Sequence, residues 1–299
     1  MSEHGAAGPS AGARIVDRGY QHYTGARLGP RHALWVMTGA TARRALGVRM
    51  PVRAKILPWL LILAAFAPAV ILLAIRILLH GVAPLPGYAT LYNQTSILFV
   101  LFAATIAPDL LCPDRRQRVL SLYFAAPITR LHYVGARIIG MILVLLLLTL
   151  VPLLLLFSGS ALLADSAAGY VQSHAGDLWR LGASGGLLAL YYGAVALAVS
   201  AFTDRHAYAT GAYLGLLLVS AAAVGVLLRT LGYKGHEWIE LLGLVALPVR
   251  AVDLLFAGGS GGGGINNDPI NIWGYLGASL AVIVVSLGLL VWRYVRLRD

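Results

Sequence analysis

Residues 108–140 read PDLLCPDRRQRVLSLYFAAPITRLHYVGARIIG. The stretch places Arg115, Arg116, Arg118 and Arg130 between two long apolar runs, in a chain of which only 12% is charged. A charged segment in that position has to lie in water at one face of a bilayer. It therefore separates two membrane spans and marks the side on which they join.

Working outward, six runs are long enough to cross a hydrocarbon core of about 30 Å as helices. They are 56–79, 88–106, 138–163, 178–202, 207–228 and 272–292. The chain is 59% hydrophobic, well above the roughly 45–50% of soluble domains. The expected fold is all-α and integral to the membrane, with six transmembrane helices in one domain over residues 56–299. Residues 1–30, with Gly, Ala, Ser and scattered Arg, are expected to form a mobile tail. Residues 31–55 carry Leu34, Trp35, Val36 and Met37 ahead of Arg43, Arg44 and Arg49, the composition of a helix lying on the bilayer surface. The first 55 residues have no apolar core of the secretory type, so no cleaved leader is expected.

Basic residues set the orientation. In the predicted topology, 18 of the 23 Lys and Arg residues fall on one side: the N-terminal tail, the 108–140 segment, Arg205, and Arg293, Arg296 and Arg298. That side is expected to be the cytoplasm, with both termini in it. The net charge of +11 is then a topology signal, and no nucleic-acid partner is expected, because the charge is spread along membrane flanks.

Several function classes are disfavoured. None of the six runs contains Asp, Glu or Lys, although coupled carriers and pumps usually place ionisable groups inside the bilayer. No P-loop is present: Lys55 precedes Ile and Lys234 precedes Gly, where the motif needs Ser or Thr. Energy for active transport would have to come from another polypeptide. Cys112 is the sole cysteine, which rules out an intrachain disulfide and a Cys-rich metal site, and His80, His174, His206 and His236 have no ligand-like spacing. The densest polar cluster in a span is Asn93, Gln94, Thr95 and Ser96. It serves either helix–helix hydrogen bonding or, through Asn93 and Gln94, a translocation path.

Inside the 108–140 segment the pattern reads as a short helix between prolines. Pro113 and Asp114 suit a first turn, Val119, Leu120, Leu122, Tyr123 and Phe124 give apolar contacts, and Pro127 ends it. Such a helix is too apolar to stay free in water. The succession Asp114-Arg115-Arg116, Val119-Leu120-Ser121-Leu122, Pro127-Ile128-Thr129-Arg130 and Gly135-Ala136-Arg137 resembles the ABC transporter type-2 permeases. It departs from that pattern in having Asp for Glu at the first position and Arg118-Val119 where Gly-Thr is usual.

The resemblance implies a cytoplasmic coupling segment at 107–137 that docks into a separate ATP-binding subunit. Asp114, Arg115, Arg116, Arg118, Leu120, Tyr123 and Phe124 would be the contacts. The arginines have a second reading, as positive-inside residues only. A further likeness is to the short extracellular re-entrant helices of these permeases. It covers 230–270, where the apolar stretch 236–257 is broken by Pro248 and followed by the Gly-rich 258–264.

Taken together, the expectation is a multi-pass permease subunit of an ATP-driven exporter in the cell membrane, with no cofactor of its own. It would pair with a second permease copy or paralogue and with two ATP-binding-cassette subunits that hold ATP and Mg. Its cargo would be hydrophobic or amphipathic: a drug, lipid or peptide. The alternatives are a membrane-embedded enzyme acting on a lipid or prenyl substrate, for which Asp109 and Asp114 are the only close acidic pair on that side, and a non-transporting scaffold.

Overall fold

The structure is a computed structural model that describes residues 29–48, 52–78, 86–117, 129–164, 166–231, 237–257 and 272–296; the side chains of 52–55 and 237 are not among what it describes. Within these residues the chain is helical, without strands. We number the helices α1 (Pro30–Ala45), α2 (Val52–Leu78), α3 (Tyr88–Arg116), α4 (Arg130–Leu162), α5 (Ala167–Ser173), α6 (Ala175–Ser200), α7 (His206–Leu231), α8 (Ala246–Ala257) and α9 (Ile272–Arg296). A 3₁₀ turn, Glu237–Leu242, precedes α8.

Six helices, α2, α3, α4, α6, α7 and α9, are long and apolar enough to cross a membrane. They match the six apolar runs, but several extend beyond them. The second run, 88–106, becomes a helix reaching Arg116 through Pro108 and Pro113. The third starts at Arg130, eight residues before the apolar run 138–163. Prolines inside such helices are tolerated because neighbouring helices and local adjustment satisfy the carbonyls they free.

The short helix expected to begin at Pro113 is therefore corrected: Pro113 and Asp114 belong to the last turn of α3. Asp109, Asp114 and Asp177 likewise enter the helices that carry the second and fourth runs, all near helix ends.

Helix α6 is the hub, packed against α3, α4, α7, α8 and α9. Its sequence explains why. Gly185, Ala189, Gly193, Ala194, Ala196 and Ala198 let other backbones approach, as small residues do between membrane helices. A Cβ on Gly193 would stand 3.1 Å from Leu145 Cδ1 of α4. Buried hydrogen bonds cross the same contacts: Tyr92 donates to the Leu181 carbonyl at 3.1 Å and Thr149 to the Gly185 carbonyl at 3.1 Å.

Helix α1 ends in a turn closed by Gly47, whose φ of 67° needs a residue without a Cβ; its amide bonds the Arg44 carbonyl. The helix is thus shorter than the 31–55 segment read from the sequence. It lies across the start of α4, with Thr38, Thr41 and Ala45 buried. The approach is close: a Cβ on Gly140 would come within 2.6 Å of Thr41 Cγ2. Trp59 at the start of α2 donates its indole N–H to the Leu46 carbonyl at 3.2 Å.

Between α7 and α9, helix α8 packs on α3, α6 and α9 with Leu247, Val249, Ala251, Val252 and Phe256 buried. Pro248 falls in its first turn, where it fits. Tyr192 donates to the Val245 carbonyl at 3.2 Å and Tyr275 to Glu240 at 2.8 Å, holding the 3₁₀ turn and α8 to the bundle.

Candidate functional site

The arginine-rich end of the bundle gathers the tip of α3, the starts of α4 and α7, the ends of α6 and α9, and α1. Asp114, its side chain only 4% exposed, lies at the centre. Arg44 of α1 donates to its Oδ1 at 3.0 Å, Tyr133 of α4 donates to its Oδ2 at 2.8 Å, and Arg137 of α4 donates to Oδ2 as well. Arg137 also donates to the Thr41 hydroxyl at 3.1 Å, and its guanidinium stacks 5.1 Å over the Tyr133 ring. Thr41 in turn donates to the Met37 carbonyl.

One carboxylate therefore links three helices. Buried ionic groups are tolerated where such geometry satisfies them, and breaking one side leaves an uncompensated charge.

Arg115 points the other way. Its Nε lies 2.9 Å from Asp204, and its Nη1 donates to the Ala201 carbonyl, so the tip of α3 also holds the turn between α6 and α7. Around the same turn, Cys112 bonds the Thr203 carbonyl at 3.5 Å and Thr210 the Ala104 carbonyl at 3.0 Å, while His206 approaches Asp109 at 3.3 Å. The buried, hydrogen-bonded thiol has a structural place. Arg130, opening α4, donates to the Val295 carbonyl of α9 at 3.1 Å.

These contacts sort the residues expected to meet an ATP-binding subunit. Asp114 and Arg115 are occupied inside the protein: the first is buried, and the second, 10% exposed, is bonded to Asp204 and Ala201. Arg116 is exposed and points outward at the end of α3. Arg118, Leu120, Tyr123 and Phe124 lie outside the described residues, as do the tail 1–28 and the Gly-rich 258–264. Residues 118–128 depart from one anchored helix end and return to another.

Sequence reasoning grouped Asp114 with the arginines that follow it and did not find its partners. Arg44 was read as bilayer-facing charge, and Tyr133 was not singled out. The one available signal was that Asp114 and Asp109 are acids inside a basic segment, which need a reason to be there.

At the other end of the bundle, Asn93 and Gln94 are exposed on the outer face of α3, while their neighbours Tyr92 and Thr95 are buried. Thr95 donates to the Leu91 carbonyl and Ser96 to that of Asn93, so half of the polar cluster is satisfied within its own helix. Among the described residues no group of three His, Cys, Asp or Glu side chains could hold a metal.

Six apolar helices around a small-residue hub, with ionic anchors confined to their ends, define a multi-pass membrane protein. The sequence profile of the ABC-2 family transporter proteins matches residues 14–297, nearly the whole chain, and the protein belongs to that family. It is thus a membrane permease subunit of a transporter rather than an enzyme. No curated protein sequence matches it.

Proposed function

We propose that the protein is the permease half of an ATP-driven exporter. Two copies, or one copy and a paralogue, would assemble with two ATP-binding-cassette subunits that bind ATP and Mg. Residues 118–128, with Arg116 beside them, would dock into the ATPase on the cytoplasmic side, and both termini would lie on that side of the cell membrane. The anchoring of both ends of 118–128 carries this reading. Asp114 joins the outgoing end to α1 and α4, and Arg130 joins the returning end to α9. A push on this segment would reach helices, not a slack loop.

Closure of the ATPase dimer would draw the two segments together and favour one arrangement of the permease halves over the other. Asn93 and Gln94 fit the assembly. Carboxamides facing hydrocarbon are unfavourable, so their open face is best covered by a second permease, where they would line a shared path. Cargo entering between apolar spans would be hydrophobic or amphipathic, a drug, lipid or peptide. The segment 237–257 would dip into the bundle from the extracellular side, and α1 would lie on the cytoplasmic bilayer surface.

The test is co-purification with the ATPase after Leu120, Tyr123 and Phe124 are each changed to Asp. Loss of assembly and of ATPase stimulation is expected; undiminished assembly sinks the docking segment.

A further inference from the structure

A cavity of about 630 Å³ opens on the outside of the bundle where α7 and α9 splay apart over α6. That volume lies within the range of small-molecule sites, about 300–1,000 Å³. Its wall is almost wholly hydrocarbon and ring, with Val199, Phe202, Tyr208, Gly211, Leu216 and Leu289 as its main surfaces. It lies toward the arginine-rich end, between the last turns of α6 and α9 and the first turns of α7.

Two cations stand against its rings. The Arg293 guanidinium is 5.9 Å from the centre of the Phe202 ring, and that of Arg205 is 5.6 Å from the centre of the Tyr208 ring. Neither arginine is ion-paired among the described residues, and Arg293 Nε is buried without a hydrogen-bond partner there. The nearby acids are already engaged, Asp204 by Arg115 and Asp109 by His206. The site thus has an open apolar body with two cations beside its rings.

We propose that this cavity binds an anionic phospholipid from the leaflet at the arginine-rich end, one acyl chain lying between α7 and α9 and the phosphate between Arg205 and Arg293. The chain fills the space between α7 and α9, and the phosphate satisfies two cations that pair with no carboxylate among the described residues. Neither half of the site suits a free anion or a neutral lipid alone: a soluble phosphate would leave the apolar body empty, and a zwitterionic headgroup brings its own cation to the two arginines. The bound lipid is a resident of the protein rather than its cargo, so the proposal stands apart from the export reading.

The full-length protein is reconstituted in nanodiscs of phosphatidylcholine with increasing phosphatidylglycerol, and retained lipid is counted by native mass spectrometry. One phosphatidylglycerol per protomer is expected to persist, with inorganic phosphate unable to displace it. The Arg205→Gln/Arg293→Gln double variant should bind it about thirtyfold more weakly, at roughly fivefold per arginine. Gly211→Trp should exclude it by filling the cavity, since nothing lies within 4 Å of the position a Cβ would take.

Each preparation is checked for cooperative thermal unfolding, and Arg293→Lys, which keeps the charge, should retain the lipid if a double variant unfolds. Equal retention of phosphatidylcholine, displacement by phosphate, or undiminished phosphatidylglycerol in both variants overturns the proposal. So does a Gly211→Trp variant that loses transport or self-association while keeping its lipid, which would make the cavity a cargo site or a protomer interface.

Discussion

Asp114 and Arg115 are neighbours in sequence, yet they anchor the tip of α3 in opposite ways. Asp114 is buried, and of its partners Arg137 and Tyr133 on α4 are buried while Arg44 on α1 is partly exposed. Arg115 reaches the turn between α6 and α7 through Asp204, whose side chain is 57% exposed. A buried carboxylate between two guanidiniums cannot lose a partner cheaply, whereas water can replace an exposed one.

The two helices attached by Arg115 extend the contrast. In an apolar stretch of 18 residues of α6, 67% of residues are buried; in the corresponding stretch of α7, only 11% are, although α7 is the more hydropathic. Burial in this bundle follows small residues and tyrosines, because lipid rewards an apolar surface as well as a protein core does. One side of the α3 tip is thus fixed to a packed layer, and the other is tied to the least buried of the six spans.

The largest expected effect comes from the buried anchor. Asp114→Ala leaves two arginines facing each other without their counter-charge and should cost about 3–5 kcal/mol. Thermal unfolding in nanodiscs measures it, with the loss of hydrogen-exchange protection concentrated in α1. Asp114→Asn should cost less, since the amide oxygen can still accept from Tyr133. If Asp114→Ala is no worse than Asp204→Ala, the two anchors do not differ in kind.

Next in size is Gly140→Leu, which drives a side chain into Thr41 and should cost about 1–3 kcal/mol, the usual penalty for overpacking. Thr41→Ala should recover only part of it, because Arg137 then loses the hydroxyl it bonds. The matched change on the open span, Gly215→Leu in α7, meets nothing within 4 Å and should leave unfolding unchanged. A large penalty there would show that α7 is covered in the protein as purified.

These differences also mark what could be read from the chain. The six spans were legible because lipid imposes a length and a composition on any helix crossing it. The tip of α3 was not. Pro113 reads as the first turn of a new short helix, but a membrane bundle lets α3 continue through Pro108 and Pro113, and the apolar run ends ten residues before the helix does. Nor could Asp114 be assigned its partners, because Arg44 is seventy positions away and only packing of α1 across α4 brings it near. Asn93 and Gln94 stand out in the sequence as part of the polar cluster of a span; which way they face depends on Tyr92 and Thr95 taking the inner side.

The exposed anchor should yield a smaller change. Asp204→Ala is expected to cost about 0–1 kcal/mol, and the difference from the parent protein should fade as salt screens the pair. Its readout is unfolding at low and high ionic strength; a salt-independent penalty would place Asp204 in a tighter site than its exposure indicates.

The smallest stability effect belongs to Arg116, and there the comparison meets the proposed function. It follows Asp114 and Arg115 directly but is exposed at the end of α3. Arg116→Ala should therefore change unfolding by no more than about 0.5 kcal/mol, as surface substitutions usually do. If its charge instead faces an ATP-binding subunit, the same variant should lower ATPase stimulation in the assembled complex, and Arg116→Lys should restore most of it. A stable permease with weakened coupling would separate the outward residue of this triplet from the two beside it. Full stimulation in Arg116→Ala would leave docking to residues 118–128 and reduce all three side chains to the architecture of the α3 tip.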